Sequence, residues 1–205
     1  MTLEDALAEC PLVGILRGVA PEEIVAHGEA LHAGGVRATE IPLNSPRPLE
    51  SIRLAAAELG ARMAAGAGTV LTHDAVDEVS AAGALFVVSP NTDVAVIART
   101  VQLGLTAVPG FATASEAFAA LGAGARLLKL FPASTYGPGH LKALKAVLPP
   151  GVRLYPVGGI GPAQMAPWRE AGAAGFGLGS ELYRPGQSPE ETFEKAKICV
   201  AAARA

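Results

Sequence analysis

One phrase recurs along the chain and limits the folds open to it: HAGGVRATEIPL at 32–43, SAAGALFVVSP at 80–90, ALGAGARLLKLFP at 120–132 and EAGAAGFGLGS at 170–180. In each, alanine and leucine at helical spacing run into glycine, the residue that best accepts the left-handed backbone just past a helix end. A short apolar run follows. It is too short for a helix and does not alternate with polar residues, as expected of a strand buried on both faces. Helix starts are equally legible: Thr113-Ala114-Ser115-Glu116 and Ser188-Pro189-Glu190-Glu191 are capping boxes, Pro21-Glu22-Glu23 opens a helix, and Thr72 can cap another.

Chained together, these signals predict strands near 12–16, 37–41, 62–67, 85–88, 105–108, 126–130, 153–157 and 174–178, each followed by a helix. Eight βα units with strands covered on both faces predict an α/β chain, a single closed (β/α)8 TIM barrel with a short N-terminal helix. An open doubly wound sheet would use the same units. The 205 residues are at the short end for such a barrel and read as one domain over 1–205, since no linker or low-complexity segment interrupts them.

A net charge of −3 without a basic cluster argues against nucleic acid or an anionic membrane surface as partner. The N-terminus carries Glu4 and Asp5 where a signal peptide would be positive, and no apolar run approaches the roughly 18 residues of a membrane span, so a cytoplasmic protein is expected. Cys10 and Cys199 lack both CxxC spacing and disulfide density, and read as reduced structural thiols. His27, His32, His73 and His140 fall in helix-like polar segments without metal-ligand spacing. Their spacing gives no metal site, and since no Gly-rich dinucleotide or Walker loop follows a strand, no dinucleotide or ATP cofactor is expected. A small-molecule partner remains.

In a barrel of this kind the chemistry sits at the C-terminal ends of the strands. Most ends here are small or apolar, among them Gly68-Thr69 and Ser89-Pro90; three carry a charge, Arg17, Glu40 and Lys129. Singly, each has an ordinary structural reading: Arg17 could snorkel to the rim, Glu40 could pair with it structurally, and Lys129 could pair with Glu40 as a buried ion pair. Three desolvated charges at one end of one barrel would be a costly way to gain stability, which favours a functional cluster. A lysine desolvated among leucines and phenylalanine has its amine pKa lowered, so a nucleophilic free amine can condense with a ketone. A nearby carboxylate can move the protons that carbinolamine dehydration and carbon–carbon cleavage require. Arg17 and Thr69 would hold a substrate carboxylate. Gly158-Gly159 and Gly179-Ser180 lie in the two loops that often bind phosphate through backbone N–H groups, although glycines also simply make turns.

The words GILRG (14–18), TEIPLNSP (39–46), GAGTVL (66–71), SPN (89–91), PGFATASEA (109–117), LLKLFPAS (127–134), VGGI (157–160) and GLGSELY (177–183) resemble the KHG/KDPG aldolase family, in order along nearly the whole chain. That resemblance implies a class I aldolase on a (β/α)8 barrel, with Lys129 forming the Schiff base and Glu40 as proton donor and acceptor. Arg17 and Thr69 would hold the keto-acid end and Gly159, Gly179 and Ser180 the phosphate; Pro90, Phe131, Val157 and Gly158 complete the implied substrate contacts. It also implies cleavage of a 2-keto-3-deoxy-6-phospho sugar acid to pyruvate and glyceraldehyde 3-phosphate, no metal, no cofactor beyond the imine, and a homotrimer.

Where gluconate-cleaving members typically carry an arginine and a threonine, this chain has Asn44 and Val157, so it looks more like the 6-phosphogalactonate branch. Valine cannot hydrogen-bond a substrate hydroxyl. Relaxed specificity, extending to 4-hydroxy-2-oxoglutarate, fits such a pocket. The residues alone leave two other classes open: a phosphate-binding barrel isomerase or synthase acting without covalent chemistry, and a ligand-sensing barrel without catalysis.

Overall fold

The computed structural model describes residues 1–205. Helix α1 (Leu3–Glu9) precedes β1 (Leu12–Ile15), and strands then alternate with helices: α2 (Pro21–Ala33), β2 (Ala38–Pro42), α3 (Pro48–Leu59), β3 (Ala64–Gly68), α4 (His73–Ala81), β4 (Phe86–Val88) and α5 (Val94–Gln102). The second half runs β5 (Thr106–Val108), β6 (Gly110–Phe111), α6 (Ala114–Gly122), β7 (Leu127–Leu130), α7 (Ala133–Lys145), β8 (Arg153–Pro156), a short 3₁₀ turn into α8 (Met165–Glu170), β9 (Phe176–Leu178) and α9 (Pro189–Arg204). The capping boxes at Thr113 and Ser188 form as the sequence predicts, and Thr72 caps α4. The repeated glycine has a backbone cause: Gly35, Gly83, Gly124 and Gly172 have φ of +98°, +92°, +105° and +97°, a region that side chains with a Cβ resist.

All strand pairs are parallel, in a six-stranded sheet of order β5-β4-β3-β2-β1-β9 and a three-stranded sheet of order β6-β7-β8. Here the architecture departs from the expected eight strands in one ring. The fifth strand is broken at Pro109, whose ring has no N–H to give the ladder, so β5 pairs with β4 while β6 pairs with β7. The Pro109 carbonyl still accepts from Lys129 N–H at 2.9 Å. At the other seam only an isolated bridge, Val157 to Gly177, and an Ala174 N–H to Leu154 carbonyl bond at 2.9 Å connect the two sheets.

The curled sheet separates two apolar regions. Outside, Leu12, Ile24, Leu31, Ile41, Ile52, Leu59 and Leu128 pack strands against the helices. Inside lie Leu3, Ala6, Leu7, Ala38, Ala64, Phe86, Val88, Val108, Leu127 and Tyr155, so the buried face of α1 belongs to the interior cluster. Successive strand residues point to opposite faces. Ala38 and Glu40 therefore share the inner face of β2, and Leu127 and Lys129 the inner face of β7, while Ile41 and Leu128 face the helices. All four histidines lie on helices; His27 is buried, its Nδ1 2.8 Å from Thr192 Oγ1. Both cysteines are free and buried, and no helix is long and apolar enough to cross a membrane.

Candidate active site

Glu40 and Lys129 are 2% and 6% exposed, and both line a small interior cavity of about 20 Å³ with Val13, Ile15, Phe86 and Tyr155. Such a space has room for about one water. Burial is the main influence on both groups. It pushes the Glu40 carboxyl above the usual carboxylate range, opposed by the charges of Lys129 and Arg17. It holds the Lys129 amine below the usual lysine range, opposed by Glu40 and reinforced by Arg17. The two do not form a close ion pair: every pair within 4.0 Å is elsewhere, on partly or fully exposed side chains. The structural reading of Lys129 as half of a buried salt bridge is thereby set aside. Its Nζ lies over the Phe131 ring, 4.7 Å from the centroid.

Lys129 also lines a second, open pocket of about 370 Å³ at the strand ends. That pocket brings together most of the residues singled out in the sequence: Arg17, Phe131, Val157, Gly158, Gly159, Gly179 and Ser180, with Ile15, Ile160 and Glu181 completing the wall. Lys129, Ile15, Val157 and Gly177 line both spaces, so the amine stands between the open pocket and the chamber that holds Glu40. Thr69 and Pro90 are not in the lining. Thr69 is half-buried with φ of +57°, next to Gly68, and the Pro90 carbonyl packs against Gly110.

The expectation of three desolvated charges needs one correction. Arg17 is exposed, and its Nη1 donates to Asn44 Oδ1 at 2.6 Å, so its guanidinium projects from the rim where water reaches it. The same two strand-end loops are tied by Gly18 N–H donating to Ser45 Oγ at 2.9 Å. The Asn44 contact had no signal in residue type or spacing, because it joins residues of different loops. Gly68 was also missed as a site residue: a Cβ built there would come 2.8 Å from Glu40 Oε1, so only glycine leaves the carboxylate its place.

At the far end of the pocket, Gly158 and Gly159 have φ of +97° and +72°. The loop is locked onto the start of α7, where Ala133 and Ser134 N–H groups donate to the carbonyls of Val157 and Gly158 at 2.8 and 3.1 Å. The N–H groups of Gly159, Gly179 and Ser180 donate to no acceptor within the protein. Three free backbone donors on one pocket wall can receive an anion such as a phosphate. No group of three His, Cys, Asp or Glu is placed to hold a metal ion.

The family model described as KDPG and KHG aldolase matches residues 3–197. The chain is 49% identical to 2-dehydro-3-deoxy-6-phosphogalactonate aldolase of Escherichia coli (strain K12), covering 95% of both proteins. A solved structure titled native KDPGal superposes with a TM-score of 0.93 at 49% identity, covering 95% of this chain and 94% of the other. A KDPG aldolase from Legionella pneumophila, described with pyruvate captured as a covalent carbinolamine intermediate, has a TM-score of 0.83 at 28% identity, covering 97% and 96%.

Proposed function

The chain belongs to the KDPG and KHG aldolase family, and on that premise we propose that Lys129 and Glu40 carry a Schiff-base cleavage of a 2-keto-3-deoxy-6-phospho sugar acid. The observation that carries the proposal is the buried amine between an open pocket and a buried carboxyl, with free backbone donors across the pocket.

The depressed basicity of Lys129 keeps a larger fraction of its amine free to attack the substrate C2 carbonyl. Attack gives a carbinolamine; loss of water gives the protonated imine, an electron sink. Glu40, held toward its protonated form by burial, supplies the proton that lets water leave and takes up the proton of the C4 hydroxyl. The C3–C4 bond then breaks: its electrons pass into the imine as an enamine, and C4 departs as the aldehyde of glyceraldehyde 3-phosphate. Protonation at C3 and hydrolysis of the imine release pyruvate and restore the amine. The imine itself is the electron sink, so the cycle calls on no further cofactor.

Arg17, steadied by Asn44, faces the substrate carboxylate from the rim, and Gly159, Gly179 and Ser180 receive the phosphate. Val157 is 7% exposed and offers the substrate's C4 hydroxyl no hydrogen bond, which favours the galactonate-type epimer over the gluconate type. The two sheets read as one barrel, closed through the Pro109 carbonyl on one side and the Val157–Gly177 bridge on the other.

Borohydride reduction in the presence of pyruvate should attach one three-carbon unit at Lys129, and Lys129→Ala should abolish both the adduct and cleavage. Pyruvate release measured side by side on the two C4-epimeric acids should favour the galactonate type. Turnover that survives Lys129→Ala would replace covalent chemistry with an electrostatic role for the lysine.

A further inference from the structure

Just past the turn carrying Gly179 and Ser180, one side chain outside the pocket lining ties the backbone of Leu182 and Arg184 to α9. Gln187 Nε2 donates to the Leu182 carbonyl and to Thr192 Oγ1, both at 2.7 Å. Its Oε1 accepts from Arg184 N–H at 3.2 Å and from Lys195 Nζ at 2.6 Å. Both donors and both lone pairs of the amide are therefore used. Lysine can only donate and a carbonyl can only accept, so these partners fix which end of the amide is oxygen.

The network continues to the scaffold. Thr192, fully buried on α9, lies 2.8 Å from the buried His27 ring on α2. In the turn itself, Leu182 and Tyr183 N–H groups donate to the Gly179 carbonyl at 2.8 and 3.0 Å, and Arg184 Nε reaches the Ser180 carbonyl at 3.2 Å. The carbonyls of Gly179 and Ser180 are thus engaged within the loop, while their N–H groups donate to no acceptor within the protein. Without Gln187 the chain from 179 to 188 would lose the one group that joins its Leu182 and Arg184 backbone to α9.

We infer that Gln187 is a positioning residue for the anion-binding end of the site, setting affinity for the phosphorylated end of the substrate while leaving imine formation to Lys129. The inference rests on the aldolase reading above and deepens it. A hydrogen-bonded amide that satisfies four partners loses all of them on replacement by an apolar isostere, and each left unpaired weakens the loop geometry. Small misplacement of binding groups can cost on the order of 10- to 100-fold in rate.

The test compares the wild type with Gln187→Met in two assays. One is cleavage of the phosphorylated galactonate-type acid; the other is the pyruvate concentration giving half-maximal borohydride trapping, which needs no phosphate contact. The expected result is a rise of about 10-fold or more in KM for the phosphorylated acid, with half-saturation by pyruvate moving less than about twofold. Lys195→Met, which removes one of the four partners, should shift KM in the same direction by less. An unchanged KM in Gln187→Met, or a parallel loss in both assays, would overturn the positioning role. Absence of trapping in the wild type would instead sink the aldolase reading, and this inference with it.

Discussion

At the scale of single residues, the stretch LLKLFP shows how one strand serves two purposes. Leu128 packs outward under the helices, while Leu127 and Lys129 face inward, so the amine is desolvated by the strand's own alternation. That arrangement has a measurable cost. Lys129 has a lowered folded-state pKa, so between that value and the unfolded value near 10.5 the unfolded chain binds the extra proton and stability rises with pH. Below the folded value the full cost of a buried ammonium is present. Lys129→Met should therefore raise the melting temperature at neutral pH, with the gain shrinking as pH climbs through that window. A melting temperature lowered across the whole range would show that the lysine stabilises the fold and is not held there for chemistry. Glu40 has the opposite linkage: its raised value means that stability falls as pH rises from about 4.5 through the folded pKa.

At the scale of elements, the boundaries are set by local chemistry. In α6 the Thr113 hydroxyl accepts from Glu116 N–H at 3.3 Å, and Glu116 Oε2 accepts from Thr113 N–H at 2.8 Å and from Ala112 N–H at 2.9 Å. The bonds donated to its oxygens, including one from the Thr113 hydroxyl at 2.8 Å, hold the Glu116 carboxyl below the usual range, the largest contribution coming from the Ala112 N–H. Thr113→Ala should cost about 1 kcal/mol of unfolding free energy by chemical denaturation, the usual worth of an N-cap. A loss indistinguishable from zero would mean that tertiary packing alone sets this helix start. The glycines after α2, α4, α6 and α8 were legible for the same local reason, since their positive φ depends only on the turn. The break at Pro109 was not legible as two strands, because its effect depends on which neighbours compete for the ladder on each side.

At the scale of the whole molecule, α1 reaches the interior chamber although it is far from Lys129 in sequence. Leu3 is 2% exposed and lines the same interior cavity as Glu40 and Lys129. Leu3→Ala should cost about 2–5 kcal/mol, as for other large-to-small core changes. By admitting water to the chamber it should also weaken the desolvation of Lys129 and raise its pKa. The pH at which pyruvate trapping reaches half its maximal rate should then move upward. A stability loss with an unmoved trapping profile would confine Leu3 to packing.

The sequence by itself determined the alternation of strands and helices, the capped helix starts at Thr72, Thr113 and Ser188, and which charged and glycine residues fall at the strand ends. Those follow from local preferences: glycine at positive φ, side chains that cap helices, and apolar runs that must leave water. Only the tertiary structure decided that Arg17 stays exposed on Asn44, that Glu40 and Lys129 share a chamber without pairing, that Gly68 makes room for the carboxylate, and that Gln187 braces the last loop. Each of these joins residues distant in the chain, and their distances depend on how the strands curl together, which no local preference encodes.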